Sequence, residues 1–202
     1  MQAPYSILIE LFGNSLWPGL VLWVGLYISD YFLTIRCARL YRKGIHEKIC
    51  FEGSFELTPY YQKDIDSLRT FSPRFIRALL LTIFTLSLIW WLSMLVRLPE
   101  LYRFALGALV LVEVVVHGRH LRNLFLFRSI IKTGGLNGRI EYSRPLMLRV
   151  SSFEFLTFAA LFAILFLVTW QGFVLGGAAA CLSVAMKHRK LAEKHLSSSP
   201  AA

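Results

Sequence analysis

Hydrophobic positions in this 202-residue chain come in long runs rather than in stripes that recur every three or four residues. Such runs mark helices that face lipid on most sides. They cover residues 15–35, 75–96, 101–120 and 153–186. The last is too long for one crossing of ~20 residues, and Gln171 and Gly172 interrupt it. It divides into 153–170 and 172–186, joined by a tight turn after Trp170, the final segment being short and rich in Gly and Ala. The expected fold is all-α: a polytopic transmembrane helix bundle of about five spans. Residues 1–190 would form a single integral membrane domain and residues 191–202 a flexible tail.

The two long loops, 36–74 and 121–152, read as ordered. Thr58-Pro59 and Ser72-Pro73 each place a capping residue before a proline at the first helical position. Between them Tyr61, Ile65 and Leu68 fall at i, i+4 and i+7, which predicts a short interfacial helix lying on the membrane surface. Gly44 marks the end of a basic extension of the first span. In the second loop the turn cluster at 134–138, followed by Arg139-Ile140-Glu141-Tyr142, predicts a small hairpin, and Pro145 restarts a helix. That glycine cluster lacks the lysine-serine ending of a phosphate-binding loop.

Composition agrees with a membrane protein: 56% hydrophobic, 17% charged, mean hydropathy +0.56. Charge supplies the direction. Of 22 Lys and Arg residues, all but Arg97 and Arg103 fall on one side if the five segments alternate. The positive-inside rule then puts the N-terminus outside and the C-terminus inside a prokaryotic cytoplasmic (inner) membrane. An even number of spans would move the basic tail and spoil the pattern. Trp17, Trp90, Trp91 and Trp170 fall toward the outer face, with Trp23 deeper, as in an interfacial aromatic belt. The net charge of +10 sits beside apolar segments, where the lipid bilayer and its anionic headgroups are the natural partners. No nucleic-acid recognition motif accompanies it. Cys37, Cys50 and Cys181 have neither zinc-type nor CxxC spacing. Glu10 is the only charge near a start that lacks a basic region, a poor fit to a cleaved signal peptide.

Ionisable groups at membrane depth normally face the bundle or water. Asp30 lies toward the inner end of the first span, with Thr34 one turn on; Glu154 lies near the start of the fourth. Glu113, His117 and His120 form a Glu-x3-His-x2-His line on one helix face. A carboxylate and two imidazoles are adequate ligands for zinc or iron, and Asp30 could supply a fourth. Such a site would use Asp30 or Glu56 as general base. The alternative is that the histidines only mark the inner interface. Gly172 and Gly176 give the fifth span a small-residue face, for packing within the chain or in a homo-oligomer or larger membrane complex.

At Asp30 and Thr34, and again at Glu56-Leu57-Thr58-Pro59, the chain resembles a group of uncharacterised prokaryotic polytopic membrane proteins. That group pairs an Asp-x3-Thr with a Glu-x-Asn-Pro just after it; threonine stands here in place of the asparagine. The resemblance implies one local unit, in which Asp30 and Thr34 meet the turn from Glu56 to Pro59 at the inner surface. Three functional classes follow. A non-enzymatic interaction or permeation subunit stands first. A membrane-embedded metal-dependent hydrolase with a cytoplasm-facing site stands second. A proton- or cation-coupled transporter stands third, because no internal repeat is visible.

Overall fold

The computed structural model describes residues 15–198; Glu10 and the expectation about a signal peptide lie outside them. Helices make up 83% of the structure, and the class is all-α. Six helices carry the fold. α1 (Leu16–Leu40) is prolonged by a π-helical turn, Tyr41–Ile45, and one further turn, His46–Lys48. α2 is Pro59–Asp66, α3 Pro73–Leu95, α4 Pro99–Thr133, α5 Arg144–Thr169 and α6 Gly172–Ser198. Four of them, α1 with its extension, α3, α4 and α5, are long and apolar enough to cross a membrane. α6 is not one of the four: its apolar part stops at Met186, and Lys187, Arg189 and Lys190 follow.

Local chemistry accounts for the boundaries. The Ser72 hydroxyl accepts from the amides of Arg74 and Phe75 at the start of α3, with Pro73 in the first turn. Ser143 caps α5 in the same way through Leu146. α4 ends on Gly134 in the left-handed conformation (φ 63°), a stop that glycine makes without steric cost. Two spans are longer than their apolar runs suggest. α4 continues from 120 to Thr133 because Leu124 and Phe127 are buried beneath the loops. α5 starts at Arg144, where Pro145 restarts a helix as expected, ahead of the apolar run at 153; Met147 and Leu148 are buried there.

α4 is the central helix, packing against α1, α3 and α6, while α5 packs on α6. One end of the bundle is fixed by two hydrogen bonds. The Tyr102 hydroxyl donates to the Leu16 carbonyl (3.2 Å), and the Gly172 amide donates to the Glu100 carboxylate (3.1 Å). Trp17, Trp91 and Trp170 are exposed there, whereas Trp23 is buried. α4 and α6 approach backbone to backbone. A Cβ on Gly107 would run into the Phe173 carbonyl, and one on Gly176 into that of Phe104. The small-residue face of α6 is thus occupied within the chain. A core of Leu20, Trp23, Leu86, Tyr102, Leu106 and Val110 fills this half of the bundle.

The loops close over the other end, and three expectations change there. Residues 140–142 do not fold back as a hairpin. They form β2 (Ile140–Tyr142), which pairs in parallel with β1 (Ile49–Phe51), Ile49 opposite Ile140. A strand from the other loop supplies the hydrogen bonds that a local hairpin would have made. Second, α2 lays its apolar face on α1: Ile65 is buried against Tyr31, Ile35 and Ala38, so that face is not turned to lipid. Leu68 falls beyond the helix, with φ 53°. Third, residues 191–198 are not a flexible tail but the last turns of α6. Ala192 is fully buried, and Arg189 pairs with Glu193 one turn on (3.2 Å), an exposed pair that adds about 0.2–0.5 kcal/mol.

The α4–α6 contact yields a paired test. Gly176→Ala should lower stability by about 1–3 kcal/mol, the usual cost of forcing atoms into a packed core. Gly25→Ala, where nothing lies within 4 Å of the added carbon, should not lower stability and should gain up to about 1 kcal/mol, since alanine is the better helix former. Thermal unfolding in detergent reads both.

Candidate functional site

Asp30 lies fourteen residues into α1 and Glu113 fourteen residues into α4. At 1.5 Å per residue both sit about 21 Å from the Trp-bearing end, and His120 about 32 Å along. The two carboxylates meet at this depth. Ligand atoms of Asp30, Glu113 and His117 all lie within 4.8 Å of one another. Asp30 and Glu113, with His120 but not His117, border a cavity of about 200 Å³ between α1, α4 and the loops, also lined by Thr34, Glu56, Thr58 and Arg119.

Hydrogen bonds fix the imidazoles. His117 Nδ1 is 2.7 Å from the Glu113 backbone carbonyl. A carbonyl only accepts, so Nδ1 carries the proton and Nε2 is left as a lone pair. That Nε2 meets the Ser29 hydroxyl at 2.6 Å. His120 turns the other way. Thr34 Oγ1 donates to the Asp30 carbonyl (3.0 Å) and lies 3.0 Å from His120 Nε2. The threonine hydrogen is already committed, so His120 Nε2–H is the donor, and Nδ1 is bare. His120 is 6% exposed, and its Nδ1 is buried without a hydrogen-bond partner, as are Asp30 Oδ1 and Glu113 Oε2.

The structure therefore brings Asp30, Glu113 and His117 together and sets His120 beside Asp30, its Nε2 3.4 Å from Oδ1. Thr34 holds His120 rather than facing a ligand. Glu56 lines the cavity, with one carboxylate oxygen accepting from the Thr58 amide (2.7 Å). Thr58 precedes α2 without a side-chain cap. Glu154 is elsewhere, paired with Arg122 at 3.2 Å. Gly172 and Gly176 lie in the α4–α6 contact, and Gly172 is at the opposite end of the bundle, beside Glu100.

Several contributors were not among the expected site residues. Arg144, 9% exposed, fans its guanidinium over the carbonyls of Ser54, Glu56 and Leu57 at 2.9–3.2 Å. Its own amide donates to the Glu52 carboxylate (2.7 Å). As one basic residue at a span start, Arg144 looks like any other topology determinant. The Tyr61 and Tyr27 hydroxyls meet at 2.6 Å, and both residues line the cavity; burial holds the Tyr61 phenol above its ordinary pKa. Arg119 donates to Ser151 Oγ (2.7 Å), which lies 3.0 Å from His188 Nδ1. No protein-family model, curated protein or solved structure matches the chain.

Arg144→Lys should loosen the loops, since a single ammonium cannot reach three carbonyls from one plane. A loss of about 2–4 kcal/mol is expected, corresponding to one or two charged hydrogen bonds. Limited proteolysis should then cut between residues 49 and 58 sooner than in the parent.

Proposed function

We propose that this chain is a five-span protein of a prokaryotic inner membrane, amino end outside and carboxyl end in the cytoplasm, acting as a binding or interaction subunit through its polar cavity. The observation that carries this is the division of the bundle. The half next to the exposed tryptophans is filled by Leu20, Trp23, Leu86, Tyr102, Leu106 and Val110. The polar cavity is confined to the half beneath the basic loops. A ligand would reach it from the cytoplasm, and an apolar plug separates it from the far side. That favours binding over permeation or coupled transport, each of which needs a polar path across.

Charge supports the orientation. Twenty basic residues belong to the loop end and the tail, against Arg97 and Arg103 at the other. With α6 counted as a fifth, Gly- and Ala-rich crossing packed on α4 and α5, the tail joins the basic side. Anionic headgroups would meet the loop arginines and lysines. The cavity also supports kinship with the Asp-x3-Thr group, because Asp30, Thr34, Glu56 and Thr58 line it together. α3 exposes Leu80, Leu81, Phe84 and Leu95, a face for lipid or for another subunit of a membrane complex.

Two experiments test the reading. Single cysteines at Arg97, Lys63 and Lys190, in a background without native cysteines, can be probed on intact spheroplasts with a membrane-impermeant maleimide. Arg97→Cys should label at once, and Lys63→Cys and Lys190→Cys only after lysis. Labelling of Lys190→Cys on intact cells would remove the fifth span. In proteoliposomes the protein should add no proton or potassium flux over empty vesicles, and a flux dependent on the protein would replace the binding reading with a transport one.

A further inference from the structure

We infer that Asp30, Glu113 and His117 form a binding site for one first-row divalent metal ion: zinc, iron(II) or manganese(II). The inference rests on the cavity being the working site and names what it holds. Three carboxylates, Asp30, Glu56 and Glu113, face the cavity against one guanidinium, that of Arg119. The excess is two negative charges, which a divalent cation cancels. Buried charge without a counter-charge is costly. Among the described lining residues Arg119 is the only Lys or Arg; His120 and His188 are the other basic groups on the wall, and Arg144 lies behind Glu56.

Hydrogen bonding says the same. Polar side-chain atoms buried in a protein ordinarily have at least one hydrogen-bond partner, yet Asp30 Oδ1 and Glu113 Oε2 have none. His117 is already in the tautomer a metal requires. Its Nδ1–H is held by the Glu113 carbonyl, the kind of outer contact that orients a ligating histidine. Its Nε2 meets only the Ser29 hydroxyl, which has the Leu26 carbonyl at 2.9 Å as another acceptor and can turn to it when a metal binds. Independent of this trio, the buried and unpartnered Nδ1 of His120 lies on the wall of the same cavity. Its Nε2, beside Asp30 Oδ1, would support the carboxylate from behind. Two carboxylates with one imidazole suit zinc, iron(II) or manganese(II) better than a thiolate-seeking metal or calcium.

Ligand atoms about 2.1 Å from a tetrahedral metal stand about 3.4 Å apart, so the trio must draw in from its present spread of up to 4.8 Å. Side-chain rotation supplies that movement, and Ser29 would release His117 Nε2 as it occurs. Three protein ligands leave a position open toward the cavity, as a site that binds a further anionic or water ligand requires.

The test uses full-length protein purified in detergent without chelator, then incubated with zinc, iron(II) or manganese(II) and desalted. Elemental analysis should find close to one ion per chain. Glu113→Gln and His117→Ala should each lower the content about tenfold or more, while His46→Ala, outside the cavity, should retain it. Chelator should lower the melting temperature of the parent and leave Glu113→Gln unchanged. The glutamine removes a buried charge, so this variant should fold even if the alanine variant does not. The inference is overturned if folded parent protein retains no more of any of the three metals than Glu113→Gln does. It is equally overturned if Glu113→Gln melts higher than the parent with and without chelator, because protons would then hold the carboxylates together. Labelling of the cysteine variants reports the orientation separately, so a metal bound in a protein of reversed topology would sink the cytoplasmic reading alone.

Discussion

The backbone contact between α4 and α6 sets the rest of this structure. Gly107 faces the carbonyl of Phe173 and Gly176 faces that of Phe104, so the two helices meet with no side chain between them. In a bilayer, where burial of apolar area between helices gives little drive, close packing of small residues is a principal attraction. α5 packs on α6, and α1 and α3 pack on α4, so each helix takes its place from this seam. The side of α4 facing α1 then carries Glu113, His117 and His120 to the level of Asp30 and Thr34. Widening the seam would move the polar groups as a consequence, although Gly176 touches none of them.

The loops form the second layer of constraint. Their strands pair across the two segments, and Arg144 binds three carbonyls of a turn that also supplies Glu56 to the cavity. A polar site at the edge of a membrane needs a wall that is neither lipid nor open water. Here the wall is built from backbone carbonyls already satisfied by one arginine. Tyr61, projecting from α2 onto Tyr27, completes it.

Much of this was legible in the sequence, and the remainder fails for identifiable reasons. Uninterrupted apolar runs locate helices because lipid exposure removes the need for a polar face, and proline after serine marks the start of α3. Run length underestimates α4, since Arg122 and Asn123 break the apolar run while Leu124 and Phe127 keep packing inward. Periodicity in residues 61–68 shows an apolar face but not what covers it; α1, and not the membrane surface, does so. Glu113 and His117 at i, i+4 must share a helix face, and that much follows from the spacing. That Asp30 rather than His120 completes the trio depends on how α1 is rotated against α4. A hydrogen bond from His120 to Thr34 decides the outcome, and no spacing within a single helix encodes it. The hairpin expectation failed similarly, because a parallel partner for Ile140–Tyr142 lies far away in the chain.

That distance has a consequence in time. Ile49 pairs with Ile140, so β1 leaves the ribosome with its partner about 90 residues still unmade. At about 5–20 residues per second the first loop waits roughly 5–18 seconds, through the synthesis of α2, α3 and α4, before β2 exists. Throughout that interval Asp30 is already placed in its helix, yet the roof above it cannot shut. The cavity is thus closed late, because the second loop and then Phe155, Val184 and His188 of α5 and α6 must follow before its wall is complete.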